Sequence, residues 1–217
     1  MGSDSAHSKM DRMYRFQRHF YDISRKYYLL GRDRLINEML INEGDHVLEV
    51  GCGTGRNLEI LAKKYPDSRF YGLDASEEML RNARKRKESR GLRNLTVIRG
   101  LADRFSHSED FDLEEGFDTI FLSYSISMIP DWEDAIANSI ENLKRGRSLF
   151  IVDFFDQRSM PVWFQKALQA WLRKFHVQYK PDLIPHLKQL ERKGAGRLKV
   201  TPIYKTYSFI AEFTRSE

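Results

Sequence analysis

The chain has 217 residues, 41% of them hydrophobic and 31% charged, which suits a single soluble domain with a sizeable core. With 36 Lys and Arg against 31 Asp and Glu, its net charge of +5 favours anionic partners: nucleic acid, acidic lipid or phosphorylated molecules. No apolar run reaches membrane-span length, no signal core opens the chain, and the single Cys52 excludes an internal disulfide, so the cytoplasm is the expected location.

Residues 1–9 are small and polar and read as a disordered N-terminus before one domain over 10–217. From Met10 to Leu40 the pattern is helical. Met13, Phe16, Phe20 and Ile23 recur at three- and four-residue steps, and Leu29, Leu30, Ile36, Met39 and Leu40 continue on a second helix. Gly31 or the Asp22–Ser24 region is the expected break. The period then changes. Residues 46–50 (HVLEV) read as a buried strand ended by glycines, and 56–65 as an amphipathic helix closed at Pro66. Residues 69–74 predict a second strand, and 76–90 a helix with Ser76 as N-cap and acids in its first turn.

Strands are expected at 95–100, 117–125 and 148–155, the last two separated by a helix over 131–144. This alternation predicts an α/β, Rossmann-like fold: a mostly parallel sheet with helices on both faces. The last third departs from the rhythm. A helix is expected over 161–177 and a shorter one over 181–190, then an antiparallel hairpin of strands 196–204 and 205–214.

The chemistry is announced by VLEVGCGTGRN, residues 47–57. Glycines at 51, 53 and 55 between a strand and a helix let the backbone approach a ligand closely. The dinucleotide pattern G-x-G-x-x-G would need glycine at 56, where Arg56 stands, and the ending of a phosphate-binding P-loop is missing. The loop resembles E/D-x-G-x-G-x-G, the first motif of class I methyltransferases that use S-adenosylmethionine (SAM) and release S-adenosylhomocysteine. Four further features fall in the order of that family. Glu49 is an acid at the strand end, suited to the ammonium of SAM, and Asp74 ends the next strand where a ribose-binding acid is expected. Met79, in Asp74-Ala75-Ser76-Glu77-Glu78-Met79, matches the residue that packs on adenine, and Gly100-Leu101-Ala102-Asp103 matches the adenine-edge motif. The resemblance implies cofactor contacts from Glu49, Gly51, Cys52, Gly53, Gly55, Asn57, Asp74, Ala75, Met79, Ala102, Asp103 and Ser123. Taken singly, Met79 reads as a core methionine and Asp103 as a solvated acid.

A narrower resemblance rests on residues 10–36 followed closely by the glycine loop. Together they look like the N-methyltransferases of betaine-lipid synthesis. That likeness implies successive methylation of the amine of diacylglyceryl homoserine, with residues 10–40 as a helical lid and a partner enzyme that makes the homoserine lipid. Aromatic faces suit an amine becoming a quaternary cation, which nominates Tyr14, Tyr27, Tyr28 and Tyr124, with Tyr21 beside them. Arg32 suits a carboxylate, of the acceptor or of SAM. Packing of the two adjacent tyrosines and a surface ion pair for Arg32 are the plain alternatives. Helix 161–175 carries Trp163, Phe164, Leu168, Trp171, Leu172 and Phe175 near Lys166, Arg173 and Lys174; it reads equally as an interfacial helix touching anionic membrane and as a core stripe. The basic run 81–93 reads as a solvated helix face rather than a lipid-attracting one.

No general base is identified, with His19 and Asp153 the weak candidates, and no metal-ligand cluster is visible. Cys52 reads as a small loop residue rather than a nucleophile. The rival readings are a methyltransferase for a soluble small molecule or quinone and a non-catalytic SAM-binding partner subunit. Nucleic acid is not the expected partner, because SYSISMIP (123–130) lacks the Asn/Asp-Pro-Pro-aromatic motif used on base amines.

Overall fold

The computed structural model describes residues 29–217 apart from 175, 176 and 178. The expectations for residues 1–28, including Tyr14, Tyr21, Tyr27 and Tyr28, lie outside the described residues. The elements run α1 (Arg32–Glu38), β1 (His46–Val50), α2 (Arg56–Lys64), β2 (Arg69–Asp74), α3 (Glu77–Ser89), β3 (Leu95–Arg99) and β4 (Phe117–Ser123). A 3-10 turn (Ile126–Met128) leads to α4 (Trp132–Glu141), β5 (Leu143–Phe154), α5 (Val162–Lys174), α6 (Leu183–Arg192), β6 (Gly196–Ile203) and β7 (Ser208–Arg215).

The seven strands form one sheet in the order β3-β2-β1-β4-β5-β7-β6, parallel except for β7, which runs antiparallel to both β5 and β6. The period-two pattern of β1 divides two cores. Val47 joins a cluster with Leu35 and Ile36 of α1, Leu58 and Leu61 of α2, Leu80 of α3 and Leu168 and Leu172 of α5. Leu48 and Val50 join the opposite cluster with Ile136 of α4 and Leu183 and Leu187 of α6. Both faces of the sheet are therefore covered, as the near-continuous apolar strands require.

Local chemistry sets the helix ends. Ser76 caps α3, its Oγ accepting from the Met79 N–H at 3.4 Å, with Glu77 and Glu78 in the first turn and Arg86 and Lys87 in the last. In α6, Pro185 stands in the first turn, where its missing N–H costs nothing.

Three differences from the expected boundaries bear on the fold. Helix α4 ends at Glu141, and β5 begins at Leu143 rather than 148, because Leu143 already pairs with Phe117 across a register shift. Buried Asn142 marks the junction, donating to Asn138 O at 2.9 Å and Phe105 O at 3.1 Å. The final hairpin has the expected tight turn, closed by Tyr207 N donating to Tyr204 O at 3.2 Å, but the turn takes residues 204–207 out of the strands and tucks the Tyr207 side chain inside.

The third difference concerns the N-terminal helix. Gly31 stands at the start of α1 with φ 94°, so Leu29 and Leu30 precede the helix, while the other expected break, Asp22–Ser24, lies outside the described residues. The chain leaves α1 at Met39 in an extended conformation, and Leu40, expected on the apolar face, is 86% exposed. A side chain at Gly31 would stand 2.7 Å from Ile203 Cδ1 as well as in a left-handed backbone. Replacing Gly31 by Ala should cost about 1–3 kcal/mol, read as a lower urea midpoint at unchanged m-value.

Candidate functional site

The sheet order reverses between β1 and β4, the position where open α/β sheets bind ligands at their strand ends. There the chain turns sharply from β1 into α2. Gly51 and Cys52 both donate their N–H to Leu73 O, at 2.8 and 3.0 Å, and Gly53 donates to Asp74 Oδ2 at 2.7 Å. Gly51 has φ 76°, and a Cβ there would lie 2.5 Å from Ser125 Cβ. No other residue type fits this turn.

Two compartments meet at Gly51. The first is a mainly apolar slot of about 620 Å³, counting space open to solvent, a size suited to a small ligand. Its wall includes Leu73, Ala75, Met79, Ala102, Met128 and Ile129, with Asp74 at the edge and Tyr124 and Ser125 opposite. The second is a polar chamber of about 970 Å³, counted in the same way, lined by Glu49, Thr54, Asn57, Ser123 and the arginines 32, 56 and 86.

The acids are held in place. Asp74 Oδ1 accepts from the Ser76 N–H at 2.9 Å while Oδ2 holds Gly53. Glu49 is buried, and its Oε1 accepts from Asn57 Nδ2 at 2.6 Å. Ser123 Oγ is buried without a hydrogen-bond partner among the described residues. The Cys52 thiol is buried, and burial together with the charges of Asp74 and Glu49 pushes its pKa well above the ordinary thiol range. It stays protonated, which fits the reading of a loop residue rather than a nucleophile.

The tertiary structure brings most of the predicted positions to these compartments. Gly51, Gly53, Asp74, Ala75, Met79 and Ala102 line the slot, and Glu49, Cys52, Asn57 and Ser123 line the chamber. Gly55 stands behind, as the left-handed start of α2. Asp103 is not in the lining; its carboxylate pairs with Arg104 at 2.8 Å. Arg32 lies in the chamber wall. Tyr124 borders the slot, but its buried hydroxyl donates to Leu30 O, so it also anchors the segment before α1. Burial pushes that phenol well above its usual range and keeps it a neutral donor.

Several lining residues escaped the sequence reading. Met128 and Ile129 reach the slot through the 3-10 turn at 126–128, which no periodicity marks. Arg86 belongs to the run read as solvated. Its Nε donates to Thr54 O at 3.1 Å and its Nη1 meets Glu59 at 2.7 Å, joined there by Arg90. Burial alone would raise the Glu59 carboxyl, but hydrogen bonds from Arg86 and Lys63 hold it below its ordinary range.

A Rossmann-like sheet in this order, with a glycine turn and an acid-edged cleft at the switch point, defines the class I methyltransferase fold. A family model described as a methyltransferase domain matches residues 41–202. The chain belongs to that family: it is a SAM-dependent methyltransferase. It is 26% identical over 195 residues to demethylmenaquinone methyltransferase of Listeria welshimeri, covering 86% of this chain and 79% of that one. It is 31% identical over 132 residues to phosphatidylethanolamine N-methyltransferase of Cereibacter sphaeroides, covering 61% of this chain and 60% of that one. Among solved structures, the fold matches a SAM-dependent methyltransferase from Aquifex aeolicus at TM-score 0.61 and 21% identity, covering 96% of each chain. It matches a chain from a complex between a Haloferax volcanii methyltransferase activator and a methyltransferase at TM-score 0.75 and 14% identity, covering 95% of this chain and 99% of that one.

Asp153, a candidate base, is buried at the end of β5 and lies outside the lining of both compartments. Its carboxylate accepts from Ser127 N at 3.0 Å and Phe154 N at 2.8 Å, which favours a positioning role for the 3-10 turn. Burial nonetheless raises its pKa from 3.8 to about 6. Folding therefore favours the protonated form, and the native chain holds more protons than the unfolded chain between those values. The contribution, about 3 kcal/mol, is fully present below the lower value and lost as pH rises through the upper one. Urea titrations across that window should show it, and Asp153→Asn should remove it; identical pH profiles for the two proteins would contradict the assignment.

Proposed function

We infer that the enzyme methylates the amine of a lipid headgroup, with diacylglyceryl homoserine as the acceptor and the trimethylated betaine lipid as the final product. The observation that carries this reading is Arg32 in the wall of the polar chamber beside the apolar slot. A headgroup that bears a carboxylate next to its amine suits that guanidinium, with Glu49 left to the ammonium of SAM. The likeness to a phosphatidylethanolamine N-methyltransferase supports a lipid amine as the acceptor class.

The lining fits SAM. Met79, Leu73 and Ile129 offer apolar surface to the adenine, and Asp74 stands ready to accept from the ribose hydroxyls. Glu49, oriented by Asn57, suits the ammonium, and Ser123 Oγ is an uncommitted polar group beside it. Asp103 contributes through its backbone next to Ala102 unless it exchanges Arg104 for the adenine amine. Bound SAM supplies an electrophilic methyl carried on a sulfonium. The protein's part is to orient the acceptor amine in its neutral form and keep water out. Tyr124 offers an aromatic face toward the cation that develops. Tyr14, Tyr27 and Tyr28 extend this role in the proposed lid over 10–40, with Arg32 holding a carboxylate of acceptor or cofactor.

A quinone acceptor is the second reading, favoured by the demethylmenaquinone methyltransferases that align with 86% of the chain. Both readings involve a hydrophobic acceptor presented at a lipid phase. Mass spectrometry of a reaction with SAM and diacylglyceryl homoserine in mixed micelles decides between them. Stepwise methyl additions to the headgroup are expected; an unmodified headgroup in a preparation that binds SAM would overturn the lipid-amine reading, and methylation of a demethylated quinone would establish the other.

The cofactor placement has its own check. Asp74→Ala removes the acceptor that ties Gly53 to Ser76 and the proposed ribose contact. SAM affinity should fall at least tenfold, about 1.4 kcal/mol, by titration calorimetry, with the sheet's circular dichroism retained. Unchanged affinity would displace Asp74 from the cofactor site.

A further inference from the structure

Aromatic side chains form a column from the slot to the surface at the strand ends. Tyr124, which borders the slot, meets Phe154 at 4.8 Å between ring centroids. Phe154 meets Tyr207 at 5.9 Å, Tyr207 meets Phe164 at 6.4 Å, and Phe164 meets Trp163 at 5.9 Å. The first three rings are buried and Phe164 is partly so, whereas Trp163 is 72% exposed. Helix α5 is thus divided: Leu168 and Leu172 belong to the core, while Trp163 and Val162 face outward at its start. The core-stripe reading of this helix holds for Leu168 and Leu172, and the start of the helix is exposed. The side chains of Trp171, Arg173 and Lys174, and Phe175 as a whole, lie outside what is described.

A second exposed aromatic stands on the neighbouring turn. The β6–β7 turn is bound to the segment before α5 by Gln157 N donating to Thr206 O at 2.9 Å and Ser159 N donating to Thr206 Oγ1 at 3.2 Å. Tyr204, Lys205 and Thr206 hold φ values of 49°, 52° and 62°, which non-glycine residues adopt only when their surroundings enforce it. This shape leaves Tyr204 54% exposed. Residues 156–170 and 203–207 contain Asp156, Arg158, Lys166 and Lys205. Asp156 pairs with Arg158 at 2.6 Å, which leaves Lys166 and Lys205, both exposed, as the net charge of these segments.

We propose that Trp163, Val162 and Tyr204, flanked by Lys166 and Lys205, dock the enzyme on an anionic lipid bilayer. Amphipathic aromatics settle at the headgroup level, and lysines beside them are drawn to a negative surface. The column places this surface at the slot's end of the sheet, where a lipid-borne acceptor would arrive. The proposal deepens the lipid-acceptor reading and rests on it for its purpose.

Vesicle flotation tests it, without SAM or acceptor. The protein should float with phosphatidylcholine vesicles that contain phosphatidylglycerol and far less with phosphatidylcholine alone. Trp163→Ala/Tyr204→Ala and Lys166→Glu/Lys205→Glu should each lower the bound fraction at least about fivefold, with the melting temperature unchanged because all four side chains are exposed. High salt should weaken the binding in parallel. No flotation of the unmodified protein, or flotation indifferent to both variants, would overturn the proposal and leave the patch to a protein partner. The two readings fail separately: lost flotation with intact methylation in micelles removes only the docking surface, and intact flotation without methylation removes only the acceptor.

Discussion

The site depends on one backbone contact, the turn at Gly51. Its N–H and that of Cys52 converge on Leu73 O, so the end of β1 is stitched to the end of β2. This stitch puts Glu49 and Asp74, acids from two different strands, at one cleft. It also requires glycine, because Ser125 closes the space a side chain would take. Gly53 then donates to Asp74, so the loop and the acid fix one another. Buried carboxylates are tolerated here because each has donors in place before any ligand arrives.

The second constraint ties the N-terminal region to the strands opposite the glycine turn. Leu30 O accepts from both Tyr124 and Ser208, which belong to the end of β4 and the start of β7. The segment entering α1 is thereby bound to two strands, β4 and β7, of the same half of the sheet. Tyr124 serves two purposes, one face on the slot and its hydroxyl on the backbone of the preceding segment. The Arg56–Asp33 pair adds a surface contact between α1 and α2, worth little on its own.

The motifs of the candidate cleft were legible because they depend on local chemistry. A glycine turn after an apolar strand, an acid at a strand end and a Ser cap followed by two acids are each dictated by a few neighbouring residues. Their places could be read in chain order, and ten of the twelve positions expected at the cofactor line the two compartments. The reading weakened where a residue's role depends on distant partners. Asp103 sits in a recognisable motif, yet its carboxylate pairs with Arg104. Arg86 sits in a basic run that looked solvated, yet Glu59 and the Thr54 carbonyl draw it against the chamber. Leu40 continues an apolar pattern, yet the chain turns away one residue earlier.

The sequence by itself determined the alternation of strands and helices, the glycine turn, the acids that follow it and the methyltransferase family those features resemble. Periodicity, capping and backbone sterics act over a few residues, so they survive without a fold. Only the tertiary structure decided which side chains share a wall. The start of β5 at Leu143, the 3-10 turn that carries Met128 and Ile129 to the slot, and the pairing of the 204–207 turn with the segment before α5 are contacts between distant parts of the chain. Trp163 and Tyr204 lie about forty positions apart, and nothing in either segment specifies the other. The contact between their two segments follows from β7 entering the sheet between β5 and β6, a choice made by burying strand faces across the whole domain rather than by local propensity.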